Sequence, residues 1–507
     1  MIVQTISERH AECQNLQAAL LSNRKLIIVA NRGPVKFQYD ANGERTFTRS
    51  GGGLVTALLG LAQHVEATWV AAADTDADRD FKAGEVELEN GTSLGVRFIE
   101  PGERAYEGYY NVISNPLLWF LQHNMWDGVR TPNITRETWA AWNEGYVKVN
   151  EQFAEAIAGE VKNSDKPTLV MLQDYHLYLA PQFLRRKLKK MKNRNMKLMH
   201  FIHIPWPGPE DWGMLPSDMR RSILEGLCSV DLLGLQTRDD ALNFIRTCET
   251  HMPRVSVNFK HGRVWVHNHS THVRDFPISI DVGALRALAA SESVAQYEED
   301  MLHLARNRKL ILRIERTEPS KNIVRGFEAF GEMLELHPEH LGSVKFLALF
   351  VPSRLSVDEY QNYLDEIMAA AGRVNAKYGN SDWEPIRILV GEDYPRAVAA
   401  MQYYDVLLVN AIADGMNLVA KEGPIVNQRE GVVVLSERTG ARQQLQPGAM
   451  VISPYDIYAT AEALHNALTM PAEERAERAN RLRWIIERED IEDWLCRQLE
   501  TLRDLRI

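Results

Sequence analysis

The chain has 507 residues, of which 45% are hydrophobic and 25% charged, and its 58 Lys and Arg against 68 Asp and Glu give a formal net charge of −10. That length supports two or three compact domains, and the ordinary composition excludes a disordered or low-complexity chain. The acidic balance argues against nucleic acid as the main partner, and four scattered cysteines (Cys13, Cys228, Cys248, Cys496) form neither a disulfide framework nor a paired zinc motif, which fits a reducing cytoplasm.

Residues 1–24 lack the apolar run of a signal peptide, and Ile6, Leu16, Leu20 and Leu21 predict a short amphipathic helical extension. No run has the length of a membrane span, so no membrane partner is expected. Leu26-Ile-Ile-Val-Ala30 predicts the first strand, followed at once by Asn31-Arg32-Gly33. Gly51-Gly-Gly53 then precedes a helix-like Leu54–Leu61; consecutive glycines let backbone approach phosphate, and flexible turns use them equally well. After the strand Thr68–Ala72, the acids Asp74, Asp76, Asp78 and Asp80 invite a metal reading. Position six of a calcium-type loop is Arg79 rather than glycine, so a solvated acidic turn fits better.

Tyr109–Trp119 offers stacking faces with hydroxyl and amide groups, as a sugar-binding wall or an aromatic core patch would. A helix over Glu137–Glu160 leads to the strand Thr168–Leu172 and Asp174-Tyr-His176; the strand Lys197–Ile202 leads to His203-Ile-Pro-Trp-Pro207. His261, His267, His269 and His272 match no metal spacing and read as a polar hairpin. Pro277–Asp281 closes this half, and a helix over Val282–Arg306 opens a second series of strands at 309–313, 344–350, 386–390, 406–409 and 432–435.

Alternating strands and helices predict α/β architecture: two Rossmann-like domains with parallel sheets facing a central cleft, ligands lying beyond the carboxyl ends of the strands. Arg316 and Lys321 share the strand-to-helix turn after 309–313, where two cations can clamp a diphosphate or simply pair with Glu315 and Glu318. Asp414-Gly-Met-Asn-Leu-Val-Ala-Lys-Glu422 follows the strand 406–409 and reads as a helix mouth able to hold an anion, with Glu422 two turns on and within reach of a pair of sugar hydroxyls; a capped surface turn is the competing reading.

Seven motifs then combine: ANRGP (30–34), SGGGL (50–54), YYNVISNPLLW (109–119), QDYHL (173–177), HIPWP (203–207), ERTEPSK (315–321) and DGMNLVAKE (414–422). In this order they resemble retaining glycosyltransferase family 20, the trehalose-6-phosphate synthases, from about residue 25 to the C-terminus. After the helical extension at 1–24, the resemblance implies a GT-B fold: an acceptor-binding domain at 25–280, a nucleotide-sugar-binding domain at 281–485, and a last helix at 486–507 packing back on the first domain. It implies that Arg32, Tyr110, Trp119, Arg354 and Asp174 hold the acceptor, and that Arg316 and Lys321, assisted by Gly53, grip the donor diphosphate. By the same similarity Asp414, Met416, Asn417, Leu418 and Val419 hold the transferred sugar and diphosphate, Glu422 holds the ribose, and His203 lies against the donor sugar. Asp174, His203, Arg316, Lys321 and Asp414 would be the catalytic set.

The implied reaction moves glucose from a nucleoside-diphosphate glucose to glucose 6-phosphate with retention, without a cofactor or metal. Nothing in the sequence fixes the nucleotide base or the oligomeric state, and a homo-oligomer is compatible with it. Thr317-Glu-Pro319, Asn322, Ala71-Ala-Ala-Asp74 and Gln173 replace the family's Leu-Asp-Tyr, glycine, Trp-Ser-Gly and histidine. These departures are shared with validamycin-type pseudo-glycosyltransferases, so a transferase for glycerol 3-phosphate or a cyclitol phosphate, and a catalytically silent sugar-phosphate sensor, stand as alternatives.

Overall fold

The computed structural model describes residues 6–49, 65–88, 93–189, 196–305, 308–353 and 358–505, with Val55, Leu58, Leu59 and Gly91 between them. The chain divides into two units, Met1–Pro277 with Glu492–Ile507, and Ile278–Ile491.

The strands of the first unit are β1 (Lys25–Val29), β2 (Val35–Tyr39), β3 (Arg45–Arg49), β4 (Ala67–Ala72), β5 (Ala83–Glu87), β6 (Ser93–Ile99), β7 (Thr168–Gln173), β8 (Met196–Phe201), β9 (Leu232–Leu235), β10 (Val255–Asn258), β11 (Arg263–Val266) and β12 (His269–Asp275). All but the β2–β3 hairpin form one sheet in the order β10-β11-β12-β9-β8-β7-β1-β4-β6-β5. Strands β6-β4-β1-β7-β8-β9 are parallel, and antiparallel pairs finish both edges. A central parallel strand is covered on both faces, hence the unbroken apolar run Leu26-Ile-Ile-Val29, all fully buried. From β1 the chain builds outward to β6 on one side, then restarts at β7 on the other. That is the Rossmann order, and a crevice opens where it reverses, beyond the carboxyl ends of β1 and β7.

The second unit repeats the scheme with β13 (Lys309–Arg316), β14 (Val344–Val351), β15 (Ile386–Val390), β16 (Val406–Val409), β17 (Val432–Ser436) and β18 (Met450–Ile452). Their order, β15-β14-β13-β16-β17-β18, is parallel throughout and reverses between β13 and β16. Helices Ile323–Leu336 and Ile457–Thr469 cover one face over a core that includes Phe327, Phe330, Phe346 and Leu464.

The first unit is completed by helices from both ends of the chain. In the helix Ile491–Asp504, Trp494 Nε1 donates to the Phe276 carbonyl (3.2 Å) and the indole packs edge-on against Phe201 (5.3 Å). Helix Ile6–Leu21 lies beside it through an Arg9–Asp493 ion pair.

Two sequence expectations are corrected. The boundaries fall at 277/278 and 491/492 rather than 280/281 and 485/486, because helix Ala472–Arg488 stays in the second unit and Ile491 N donates to the Ile280 carbonyl (3.0 Å) before the chain leaves. The helix expected over 282–306 is three short ones, 282–289, 292–295 and 298–305; the Ser291 hydroxyl donates to the Leu288 carbonyl (2.7 Å) and ends the first. Among the described residues no helix is long and apolar enough to cross a membrane.

Candidate active site

In the second unit, two segments meet at the reversal between β13 and β16. After β13 the chain turns through a short 3₁₀ helix, Pro319–Lys321, into the helix 323–336. Asn322 between them has φ +60°, a left-handed position that glycine usually fills and asparagine tolerates. Its amide also donates to the carbonyls of Asn410 (3.0 Å) and Pro454 (2.7 Å), tying this turn to the end of β16. The family's glycine is therefore replaced without loss of the turn. Beneath it, the fully buried Arg313 guanidinium donates to Asn410 Oδ1 and the Lys321 carbonyl.

Lys321 Nζ pairs with Asp414 and lies 4.0 Å from Glu315 and 3.9 Å from Glu318. Lys321, Glu315 and Glu318 are buried. Burial disfavours the ammonium, but Asp414, Glu315 and Glu318 together outweigh it and hold its pKa above the ordinary lysine value. Burial raises the Glu315 carboxyl against the lowering pull of Lys321 and Arg313. Arg316 is the exposed cation of the turn, 3.5 Å from Glu318. The acids of this motif thus pair with its cations.

Asp414 is set by a second turn. Its carbonyl accepts from Gly440 N (3.0 Å), and Ala441 N donates to the Met416 carbonyl (3.0 Å). A Cβ on Gly440 would stand 1.8 Å from the Gly415 carbonyl oxygen, so only glycine permits this approach. Asn417, at φ +67°, donates to Asp414 Oδ2 (3.1 Å) and Glu315 Oε1 (3.4 Å) and accepts from Ala420 N (3.2 Å). This left-handed residue delays the helix to Val419–Val426. Met416 is buried; Leu418 and Val419 at the helix mouth are half-buried, and first-turn N–H groups point out of such a mouth.

Glu422, half-buried, accepts from the Tyr394 hydroxyl (2.9 Å), and burial raises its carboxyl pKa. Tyr394 opens the helix Tyr394–Tyr403, at the end of the Gly391–Tyr394 loop where the sequence places the nucleotide-base pocket. Lys421 is a tether instead: fully buried, it donates to the Ile278 carbonyl (2.7 Å) and Gln444 Oε1 (2.8 Å).

The first unit gathers its polar groups at the other reversal, beyond β1 and β7. Exposed Arg32 follows β1. Burial of part of its side chain lowers the guanidinium pKa, but the adjacent Tyr110 hydroxyl and Asp74 leave it raised overall. Tyr110 stacks between Tyr106 (5.5 Å, 7°) and His176 (5.8 Å, 12°). Tyr109 is core: fully buried, its hydroxyl donates to Asn31 Oδ1 (3.0 Å). The segment Gly108–Leu118 winds as a π-helix, a form frequent at functional sites. Trp119 is buried at its end, stacked on His123 (4.1 Å), so it belongs more to the core than to an open wall.

Asp174 follows β7 with φ +69°, a costly backbone for a non-glycine residue and one found at functional sites. It is over-determined: its N–H donates to the Phe201 carbonyl (2.7 Å), its carbonyl accepts from His200 Nε2 (2.9 Å), and Oδ1 accepts from His203 N (3.2 Å). His203 Nε2 donates to Gln173 Oε1 (2.9 Å). Burial, with His200 beside it, pushes the His203 pKa down to about 3, so the imidazole is neutral. Trp494 closes the cluster, its ring 6.5 Å from that of His203. Sequence reasoning missed this partner because it lies 291 positions away in the chain.

Gly53 and Arg354, with the triple-glycine segment, lie outside the described residues. The acidic turn is structural: Thr75 caps the helix Asp76–Phe81 in a capping box with Asp78, whose carboxylate accepts from the N–H groups of Phe37, Asp74 and Thr75, while Asp74 pairs with Lys36. The 261–272 histidines lie on or beside the antiparallel β10-β11-β12 edge.

Two sheets of Rossmann order, the second with a buried lysine among three carboxylates at its reversal, are the architecture of a GT-B glycosyltransferase. The chain belongs to glycosyltransferase family 20, whose profile matches residues 24–504. It is 33% identical over 484 residues to the UDP-forming alpha,alpha-trehalose-phosphate synthase of Schizosaccharomyces pombe, covering 94% of this chain and 90% of that one. Its structure is similar to the E. coli trehalose-6-phosphate structure bound with UDP-2-fluoro glucose, with a TM-score of 0.81 at 28% identity over 95% of this chain and 99% of that one. It is also similar to the Burkholderia xenovorans alpha,alpha-trehalose-phosphate synthase in complex with glucose-6-phosphate, with a TM-score of 0.77 at 26% identity over 96% and 100%.

Proposed function

We propose that this enzyme transfers glucose from UDP-glucose to glucose 6-phosphate, forming alpha,alpha-trehalose 6-phosphate and UDP with retention. The observation that carries the reading is Lys321 held among Asp414, Glu315 and Glu318 at the reversal of the second sheet, with Arg316 exposed beside it. A diphosphate arriving there draws on two cations now shared with carboxylates, and on the N–H groups of the mouth at Leu418 and Val419. Asp414, Met416 and Asn417 shape the sugar side of that turn. Glu422, oriented by Tyr394, takes the ribose hydroxyls.

On the acceptor side, Arg32 with Tyr110 meets the phosphate, Trp119 backs the wall, and Asp174 with the neutral His203 faces the reacting end. The acceptor's anomeric hydroxyl forms the new bond to C1 of glucose as the C1–O bond to the diphosphate breaks. The acceptor proton passes to the departing diphosphate oxygen. Charge that develops on that oxygen is what Arg316 and Lys321 neutralise, so no enzyme nucleophile is required.

The test is purified protein with glucose 6-phosphate and UDP-, GDP- or ADP-glucose in parallel, following nucleotide release and product identity by NMR. UDP-glucose turning over to the alpha,alpha product supports the reading. Release only with a cyclitol phosphate or glycerol 3-phosphate would transfer the reading to the pseudo-glycosyltransferase alternative, which Gln173 and Ala71-Ala-Ala-Asp74 favour. Binding without turnover across donors and acceptors would leave a sensor.

A further inference from the structure

Away from both sheet reversals, the far end of helix 323–336 carries a group of side chains that the transfer reaction does not use. His337 caps that helix, Glu339 and His340 follow in a short 3₁₀ turn, and His465 and Glu462 project from helix 457–469. His337 Nε2 donates to Glu462 Oε1 (2.9 Å), which turns Nδ1 toward Glu339. That Nδ1 lies 3.5 Å from Glu339 Oε1, and the same oxygen lies 3.8 Å from His465 Nδ1. One donor atom from each of His337, Glu339 and His465 falls within 4.8 Å of the other two. His340 Nε2 is 3.0 Å from His465 Nδ1 and is the nearest further donor.

His465 Nδ1 already shares a hydrogen bond with His340 Nε2 (3.0 Å), and a cation entering here takes the place of that proton beside Glu339. At bond lengths of about 2.0–2.2 Å, tetrahedral ligand atoms stand about 3.3–3.6 Å apart, and the two separations to Glu339, 3.5 and 3.8 Å, lie within a few tenths of an ångström of that range. The His337 and His465 rings are stacked, 3.5 Å between centroids at 11°. Rotation about the His465 Cβ–Cγ bond, a soft torsion, opens the stack while leaving the His337–Glu462 hydrogen bond in place. Glu462 behind His337 supplies the carboxylate–histidine support typical of a metal ligand.

We infer that His337, Glu339 and His465, supported by Glu462 and with His340 as the fourth donor, form a binding site for a zinc-class divalent cation that staples helix 323–336 to helix 457–469. Imidazole with one carboxylate selects a borderline cation over magnesium or calcium. Helix 323–336 is about 20 Å long, and Lys321 lies at its opposite end, so the ion stabilises the second unit and takes no part in transfer.

The test uses the full chain after chelator treatment. Co²⁺ titration is followed by its visible absorption and Zn²⁺ titration by calorimetry and thermal melting, for wild type, His465→Ala, Glu339→Gln and Glu462→Gln. The expected result is one saturable cation per chain, a tetrahedral Co²⁺ spectrum and a melting temperature that rises with Zn²⁺. Affinity falls at least tenfold in His465→Ala and Glu339→Gln, and about 10–100-fold in Glu462→Gln, which acts through His337. If His465→Ala fails to fold, the exposed Glu339→Gln decides the matter. Equal uptake by wild type and the variants, or no saturable uptake by wild type, overturns the inference and leaves a cluster that shares only protons.

Discussion

Replacing Lys321 by methionine keeps most of the side chain's volume and removes only its charge. In the wild type, Nζ is within 4.0 Å of three carboxylates, on Asp414, Glu315 and Glu318, none more than 13% exposed. With Arg313 and Arg316 the other cations acting on these acids, a balanced cluster becomes one with a surplus negative charge. Removing one partner of a buried pair costs about 3–5 kcal/mol, which lowers the melting temperature by roughly 6–20 °C for a unit of this size. Turnover suffers separately: losing a group that neutralises the leaving diphosphate lowers kcat/KM by about 10²–10³. The two effects are separable, because Glu315→Gln added to Lys321→Met removes one uncompensated charge. The double variant should recover at least about 1 kcal/mol of stability while kcat/KM stays low. The assay pairs thermal melts with coupled UDP release. A Lys321→Met enzyme that melts like wild type and keeps kcat/KM within tenfold would refute the reasoning.

His200 is fully buried, and burial lowers its pKa to about 4. The folded chain therefore refuses a proton that the unfolded chain accepts below about pH 6.5. The share of stability set by His200 is full above pH 6.5 and falls by about 1.4 kcal/mol per pH unit toward pH 4; His200→Asn should remove that share of the slope in melts across the window and leave the share set by His203. Glu422→Gln and Tyr394→Phe should each raise the KM for UDP-glucose by about tenfold with kcat nearly unchanged, since a charge-assisted hydrogen bond to a non-reacting part is uniform binding. Gly440→Ala places a Cβ 1.8 Å from the Gly415 carbonyl oxygen and should displace the Asp414 turn, lowering stability by about 1–3 kcal/mol and kcat more than tenfold. Arg32→Ala should raise the KM for glucose 6-phosphate, measured at saturating UDP-glucose, and spare donor binding.

Every strand that carries a site residue could be found from its apolar run, because central parallel strands are buried on both faces and their sequences stay hydrophobic without alternation. The residues after β1, β7, β13 and β16 stand out because polar groups there interrupt such runs abruptly. What the sequence hid was non-local. Nothing near Lys421 reveals that it is a buried tether to Ile278 and Gln444 rather than a surface cation, and nothing near His203 points to Trp494. The helix expected directly after Asp414 starts only at Val419, since Asn417 takes a left-handed backbone that no hydrophobic pattern encodes. Trp119 looked like an open sugar wall, but its exposure is set by His123 and Tyr175 folding over it. The histidine–glutamate cluster joins positions 337 and 465, a separation that no spacing rule detects.

The helix of residues 492–504 has a consequence for how the enzyme is made. On a ribosome, residues 278–491 emerge as one uninterrupted stretch and can close their own sheet as they appear, whereas the earlier 277 residues must wait for Trp494. Until then the indole is missing from beside Phe201 and His203, and helix 6–21 lacks its Asp493 partner. The first unit to begin synthesis is thus the last to be finished. Until Trp494 is in place the surroundings of Phe201 and His203 are unfinished, although the turn around Lys321 is already complete.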